Sequence, residues 1–204
     1  MELPTLSVCV PNYNHGRYLP EALEAILSQS YQPLEVIVGD DASTDNSAEI
    51  MRAYEKKNPV IRLVWNEKNI GTNANANKLL ELTKGEYVFE AAADDKALPG
   101  FFEKSMRMLA QHPEAGLCSA LTQFIDETGT DLKRSGLNPL HRTGSRFLAP
   151  KDVRFILLKH GPWFHGNTVI YRRKALVDAG GFHPELRSYS DAFIDKVIAL
   201  RHGA

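Results

Sequence analysis

Two acid pairs carry the first chemistry legible in this 204-residue chain. Asp94-Asp95 follows Phe89-Glu90-Ala91-Ala92-Ala93, and Asp40-Asp41 follows Glu35-Val36-Ile37-Val38-Gly39. Each pair comes after an apolar run of strand character, so each is expected at the C-terminal end of a strand. Carboxylate oxygens are hard ligands that suit Mg²⁺ or Mn²⁺, and the small alanines before Asp94 leave room for a phosphorylated ligand. A capping role competes with this for Asp94 or Asp95, because Pro99-Gly100 launches a helix and acids cap helices. A third polar strand end, Asn12-Tyr13-Asn14, adds an aromatic ring. Ligands of open parallel α/β sheets bind at the carboxyl ends of the strands. Four acids gathered there would repel unless a cation or hydrogen-bond donors compensated. A nucleobase donating a ring N–H to one carboxylate, with a metal on the other pair, would do so.

The elements that must position these groups alternate. Strands are expected at residues 6–10, 34–38, 60–65, 86–91 and 116–125, with a later one at 167–171. Leu19, Ala22, Leu23, Ile26 and Leu27 fall on one helical stripe, with Pro20 tolerable in the first turn. A second helix carries Ile50, Met51 and Tyr54, capped by Ser43 or Thr44. A third spans 73–84 and ends on Gly85 as a C-cap. A fourth carries Phe102, Met106 and Leu109. Shorter helices are expected at 150–158 and 174–179, and a closing one at 190–201. This alternation implies an α/β fold, an open, mostly parallel, Rossmann-like sheet with helices on both faces. Residues 126–145 are polar and Gly-rich, so they read as a long ligand-side loop. The chain divides into residues 1–125, which bear the acid pairs, and residues 126–204, within one domain.

Composition excludes several classes. Net charge is −1 without a Lys/Arg run, so no nucleic-acid or anionic-membrane footprint is visible. Cys9 and Cys118 are too few for a disulfide scaffold and read as buried thiols of a reducing compartment. No signal-peptide pattern and no apolar run near ~20 residues is present. The expected location is the cytoplasm, with the inner face of the membrane an open alternative. G-x-G-x-x-G, the P-loop, the Gly-x-Ser-x-Gly elbow and zinc-ligand spacing are all absent.

Ser7-Val8-Cys9-Val10-Pro11-Asn12-Tyr13-Asn14, Leu27-Ser28-Gln29-Ser30 and Glu35 through Asp45 together resemble the N-terminal signature of the family 2 glycosyltransferases. Asn69-Ile70-Gly71 with Asn77, and Lys84-Gly85-Glu86-Tyr87-Val88 leading into Asp94-Asp95, continue it in order. The resemblance is close over about residues 6–100 and looser beyond. It implies a GT-A fold, a nucleotide-sugar donor (usually a UDP-sugar), Mg²⁺ or Mn²⁺, inversion at the anomeric carbon, and a saccharide, lipid-linked or protein acceptor. By position, Pro11 and Tyr13 would flank the base, and Asp41, with Asp40 beside it, would accept from the uracil N–H. Asp94 would lie nearer the ribose and Asp95 would be the metal ligand. This sequence departs from the family pattern at Ala92, where many members carry an acid, and at Ala76, where an Arg is common. Members usually continue into further acceptor-side helices, so a C-terminal truncation is expected here.

An inverting transfer needs a base for the acceptor hydroxyl. The resemblance places it at Asp191, in Ser188-Tyr189-Ser190-Asp191, with Asp195 in reserve one turn on. A plain helix-dipole role also suits an acid there. Trp163 and His165, in Gly161-Pro162-Trp163-Phe164-His165-Gly166-Asn167, could offer a platform for sugar or acceptor, or be a structural aromatic loop. Competing functions are a nucleotidyltransferase, which usually has a Gly-rich basic N-terminal loop, and a catalytically inactive nucleotide-sugar-binding module.

Overall fold

The computed structural model describes residues 3–135 and 144–204. Its first half is a run of strand–helix units. β1 (Leu6–Asn12), α1 (Leu19–Leu27), β2 (Glu35–Asp40), α2 (Ser47–Lys57), β3 (Ile61–Trp65), α3 (Thr72–Leu82) and β4 (Tyr87–Glu90) follow one another, and then α4 (Phe101–Gln111). All seven residues of β1 are buried, which is why the strand reads as a continuous apolar run rather than an alternation. β5 (Leu117–Ser119), β6 (Gln123–Ile125), β7 (Asp131–Ser135), α5 (Pro150–His160), β8 (Val169–Arg172), α6 (Arg173–Asp178) and α7 (Ser190–His202) complete the chain. Among the described residues one sheet has the order β3-β2-β1-β4-β8-β5, and β6 and β7 form a separate ribbon.

Helices cover both faces of the main sheet. On one, Leu23 and Ile26 of α1, Met51 of α2 and Phe102 and Met106 of α4 pack on Val8, Val10, Phe89 and Ile170. On the other, Leu79 of α3, Val153 of α5, Leu176 of α6 and Ile194 and Ile198 of α7 pack on Cys9, Ile37, Val88 and Tyr171. Side chains alternate between the faces, so neighbouring residues of one strand enter different cores.

The expected open, mostly parallel α/β sheet is the observed one. β1, β2, β3 and β4 pair in parallel, whereas β8 pairs antiparallel with both β4 and β5. Four local expectations change. The strand expected over residues 116–125 is two strands in two sheets, and the expected loop over residues 126–145 contains β7, which pairs with β6. Residues 136–143 of that loop lie outside the described residues. Neither Ser43 nor Thr44 caps α2, whose N-cap is Asn46. Instead the Ser47 N–H donates to Asp45 Oδ1 at 3.0 Å, and the Ser43 side chain turns back to the β1 loop. Gly85 is not a C-cap, since α3 ends at Leu82 with Thr83 extended. A Cβ on Gly85 would stand 2.6 Å from the Ser7 nitrogen, so the glycine serves the close approach of β4 to β1.

Candidate active site

The carboxyl ends of β2, β1 and β4 lie side by side and place Asp40-Asp41, Asn12-Tyr13 and Glu90 with its trailing acids on one edge. Asp40 and Asp41 are buried, and each is held by specific donors. Asn12 Nδ2 donates to Asp40 Oδ1 at 3.0 Å and the Ser43 N–H to Asp40 Oδ2 at 3.0 Å. Asp41 Oδ1 accepts from Asn66 Nδ2 and the Ile70 N–H at 2.8 and 2.9 Å, and Asp41 Oδ2 from the Gly71 N–H at 2.9 Å. Asp41 thus clamps the 66–71 turn. A carboxylate has about four acceptor sites, so one remains for a further donor. Tyr13 is 44% exposed beside this pair, while Pro11 is buried within β1.

Asp94 and Asp95 are exposed in the turn after β4 and do not cap α4, whose N-cap is Gly100. Gln29 fixes this turn. Its Nε2 donates to the Ala97 and Leu98 carbonyls at 3.1 and 3.0 Å, and its Oε1 accepts from the Phe102 N–H at 3.3 Å. His15 Nδ1 lies 3.7 Å from Asp94 Oδ1, and Lys96 pairs with Glu21. Asn167 Nδ2 donates to Asp95 Oδ2 at 2.8 Å. Desolvation pushes the Asp95 carboxyl above its ordinary range, the Asn167 bond opposes that, and the Asp94 charge adds to it.

Asn167 belongs to a 3-10 turn, Gly166–Thr168, immediately before β8. The preceding residue of the same turn receives Asp191. A Cβ at position 166 would lie 2.3 Å from Asp191 Oδ2, so the carboxyl occupies space that glycine leaves open. Asp191 stands in the first turn of α7 and its Oδ1 accepts the Ala192 N–H at 2.7 Å. Two side chains of α3 steady the approach to α7. Asn77 Oδ1 accepts from the Phe182 N–H at 2.8 Å and its Nδ2 donates back to the Phe182 carbonyl at 2.6 Å. Asn73 Nδ2 reaches the Arg187 carbonyl at 2.9 Å.

Behind Asp191 lie two more acids. Asp195 is buried at 1% exposure, and its Oδ1 accepts from the Tyr171 hydroxyl at 2.7 Å. Burial pushes Asp195 up to about 7, the Tyr171 bond opposes this, and the Asp191 and Glu90 charges add to it. Glu90 is likewise raised to about 7, by burial first and then by Asp191. Burial pushes the Cys9 thiol up, so it is no nucleophile.

The aromatic loop divides. Trp163 is 4% exposed, sits in the second core and packs on Phe164 at 4.5 Å between ring centroids. Of the two readings offered for it, platform or structural aromatic loop, its burial fits the second, because its ring is committed to packing. His165 is half-buried with its ring edge-on to Phe124 at 6.2 Å. A cavity of about 750 Å³ beside Asp95 and Asn167 is walled by Ala91, Leu98, Leu121 and Trp163. Gly166 and Asn167 have no site role in the sequence reading, and Glu90 points toward the same region subject to strand alternation. Asn167 carried no motif signal, and Glu90 depends on which face of β4 it occupies.

A Rossmann-like α/β sheet with acid pairs after two of its parallel strands is the class of fold these elements define. The family model for glycosyl transferase family 2 matches residues 7–180, and the chain belongs to that family. YibD of Escherichia coli, an uncharacterized glycosyltransferase, is 33% identical over 204 residues, covering 97% of this chain and 58% of its own length. MJ1057 of Methanocaldococcus jannaschii, also an uncharacterized glycosyltransferase, is 33% identical over 135 residues, covering 65% of this chain and 47% of its own. The chain thus spans about half to three-fifths of these relatives. The mannosyltransferase PcManGT of Pyrobaculum calidifontis, solved with GDP-Man and Mn²⁺, superposes with a TM-score of 0.73 at 25% identity, covering all of this chain and 54% of its own. TarS of S. aureus, solved with UDP-GlcNAc, shares the fold with a TM-score of 0.68 at 22% identity, covering 96% of this chain and 54% of its own. Among the described residues no helix is long and apolar enough to cross a membrane.

Proposed function

We propose that this chain is the catalytic region of an inverting glycosyltransferase that moves a sugar from a nucleotide-sugar, a UDP-sugar first, to an acceptor hydroxyl with the assistance of Mg²⁺ or Mn²⁺. The observation that carries this reading is the Gly166-Asn167 turn. Asn167 holds Asp95 and the residue before it, Gly166, seats Asp191, so a donor-side acid and a base meet on a single support.

In this reading Tyr13 and Pro11 flank the base, and its ring N–H takes the acceptor site left on Asp41. Asp40 holds the loop beneath, and Asp94 lies toward the ribose. Residues 1–125 form the donor half and residues 126–204 the acceptor half. His165 and the Trp163-walled cavity lie toward the sugar and acceptor. The acceptor oxygen forms its bond to the anomeric carbon as the bond to the diphosphate breaks. The electron pair leaves with the nucleoside diphosphate, and the hydroxyl proton goes to Asp191.

Among the described residues no three acidic, His or Cys side chains converge as a metal cage, and Ala92 offers no ligand. Asp95 Oδ1, which has no hydrogen-bond partner among the described residues, fits a cation shared with ligand oxygens and waters, the usual mode of Mg²⁺ in phosphate sites. A bound cation would supply charge neutralisation for the departing diphosphate. Calorimetry with UDP and with GDP, each with and without Mn²⁺, tests this. Mn²⁺ alone should give little heat, and Mn²⁺ with a nucleotide should give binding that Asp95→Ala abolishes. Nucleotide binding unaffected by Asp95→Ala would remove the metal role. Pyrophosphate release from a nucleoside triphosphate and a sugar phosphate would instead support a nucleotidyltransferase.

A further inference from the structure

α5 presents an outer face that the chemistry above does not use and that no described element covers. Val153 and Ile156 turn inward to the second core. Phe155 and Leu158 stand in solvent at 63% and 78% exposure, and Leu158 is the most exposed large hydrophobic side chain among the described residues. Lys151, Arg154 and Lys159 are exposed as well, and Asp152 is the one acid of the helix. At about 3.6 residues per turn, Arg154, Leu158, Lys151, Phe155 and Lys159 succeed one another around about 140° of the helix. The apolar pair is thus bracketed by cations on both sides. Lys159 Nζ lies 5.7 Å from the centroid of the Phe155 ring, so cation and ring share one patch. In the sequence these cations are separated by Asp152 and by apolar residues, so no run marks them. The chain carries a net charge of −1, so this face departs from its average surface.

We propose that the outer face of α5 docks on an anionic lipid bilayer, with Phe155 and Leu158 entering the boundary between headgroups and acyl chains and Lys151, Arg154 and Lys159 meeting lipid phosphates. The methylene stems of lysine and arginine let their charges stay at phosphate level while apolar neighbours go deeper. Helices that lie on a bilayer combine large apolar side chains with Lys and Arg in this way. Charge decides between occupants. A second copy docking by the same patch would set three cations against three, because a two-fold contact pairs the patch with itself. An acidic protein surface answers the cations. A bilayer answers the cations and the apolar pair together, and it needs no shaped recess to receive a convex helix face. A cavity of about 440 Å³ beside this face is lined by Phe155, His160, Arg146 and Phe147, and it shares the last two with the larger cavity at Asp95 and Asn167. α5 itself runs into Gly161 and the segment that carries Asn167. The docking face and the acceptor side of the proposed site therefore adjoin, although docking does not depend on the sugar chemistry.

Co-sedimentation with sucrose-loaded vesicles tests the surface without donor, acceptor or metal. Phosphatidylcholine vesicles, plain or mixed with phosphatidylglycerol, are the probes. Wild type should bind the mixed vesicles and not the plain ones, and added salt should weaken the binding. Each Lys or Arg near an anionic surface contributes about fivefold in partitioning, so Lys151→Gln, Arg154→Gln and Lys159→Gln together should lower it on the order of 100-fold. Phe155→Ser with Leu158→Ser should lower it about tenfold or more. Lys56→Gln, Lys57→Gln and Lys84→Gln remove the same charge from exposed positions elsewhere and should leave partitioning close to wild type. All of these side chains are exposed, and matching thermal melts show that each variant is folded. No binding to the mixed vesicles, equal binding to the plain ones, or an equal loss in the control set overturns the proposal. Binding to polyglutamate that survives Phe155→Ser with Leu158→Ser, without vesicle binding, assigns the face to an acidic protein instead. None of these outcomes bears on the transfer chemistry, which the nucleotide calorimetry tests separately.

Discussion

Asp191 sits in a space that a single hydrogen atom defines. Replacing Gly166 by alanine would put a methyl group where Asp191 Oδ2 now lies, and the carboxyl is the mobile partner. Displacement of a catalytic group by about 1 Å costs on the order of 10²-fold in rate. Gly166→Ala should therefore lower kcat for donor hydrolysis by roughly that factor, while calorimetry finds nucleotide binding close to wild type. Loss of nucleotide binding together with rate would mean that the turn serves the donor instead. The place of Asp191 at the start of α7 was legible in the sequence, because helix starts are marked by residue type, while its proposed role came from the family resemblance. Gly166 was not, since a close approach between turns far apart in sequence leaves no local pattern. Trp163 stayed ambiguous for a related reason. An aromatic ring in a Gly-Pro loop looks available until the core it fills is known.

At the level of elements, the acid pair after β2 binds turns together as much as it presents charge. Asp41 accepts two backbone N–H groups and one side-chain amide from the 66–71 turn, and hydrogen bonds to a charged partner are worth roughly 1.5–3 kcal/mol each. Asp41→Ala leaves the Ile70 and Gly71 N–H groups without that partner and should cost about 3 kcal/mol or more in denaturant unfolding. Asp41→Asn, which retains an acceptor, should cost less. Equal and negligible losses in both would show that water replaces the carboxylate without penalty. The strand–helix alternation through β4 could be read directly because β1 and β2 are buried nearly throughout and α1 and α4 carry clear apolar stripes. The region after α4 was harder. β5 is three residues long, β6 pairs with a strand rich in charge, and their apolar residues are too few to set a period.

For the molecule as a whole, the raised acids make stability depend on pH in an uncommon direction. Glu90 moves from an ordinary 4.5 to about 7 and Asp195 from 3.8 to about 7, so the folded chain holds protons that the unfolded chain has released. Their favourable contribution is complete below the unfolded values and is lost as pH rises through about 7. Glu90→Gln removes one such group and should raise stability above pH 7, on the order of 2 kcal/mol, with little gain at pH 4.5. Thermal melts of wild type and variant across pH 4–8 read this directly, and parallel curves would contradict it. The arrangement of the three acids was beyond the sequence, because it needs the sheet order that sets β4 beside β8 and both beneath α7.

The reversed direction of β8 has a consequence for how such a chain can change its substrate. Parallel strands deliver their C-terminal loops to the working edge, but β8, running the other way, delivers the loop that precedes it. Residues 161–168 arrive there from α5 rather than from the crossovers of the parallel strands. Around the buried Trp163, the interval between Gly161 and His165 can therefore change without disturbing the register of β1, β2 and β4. In the proposed reading, acceptor preference and donor capture are in that sense separately inheritable. The Gly166-Asn167 pair marks where that freedom stops.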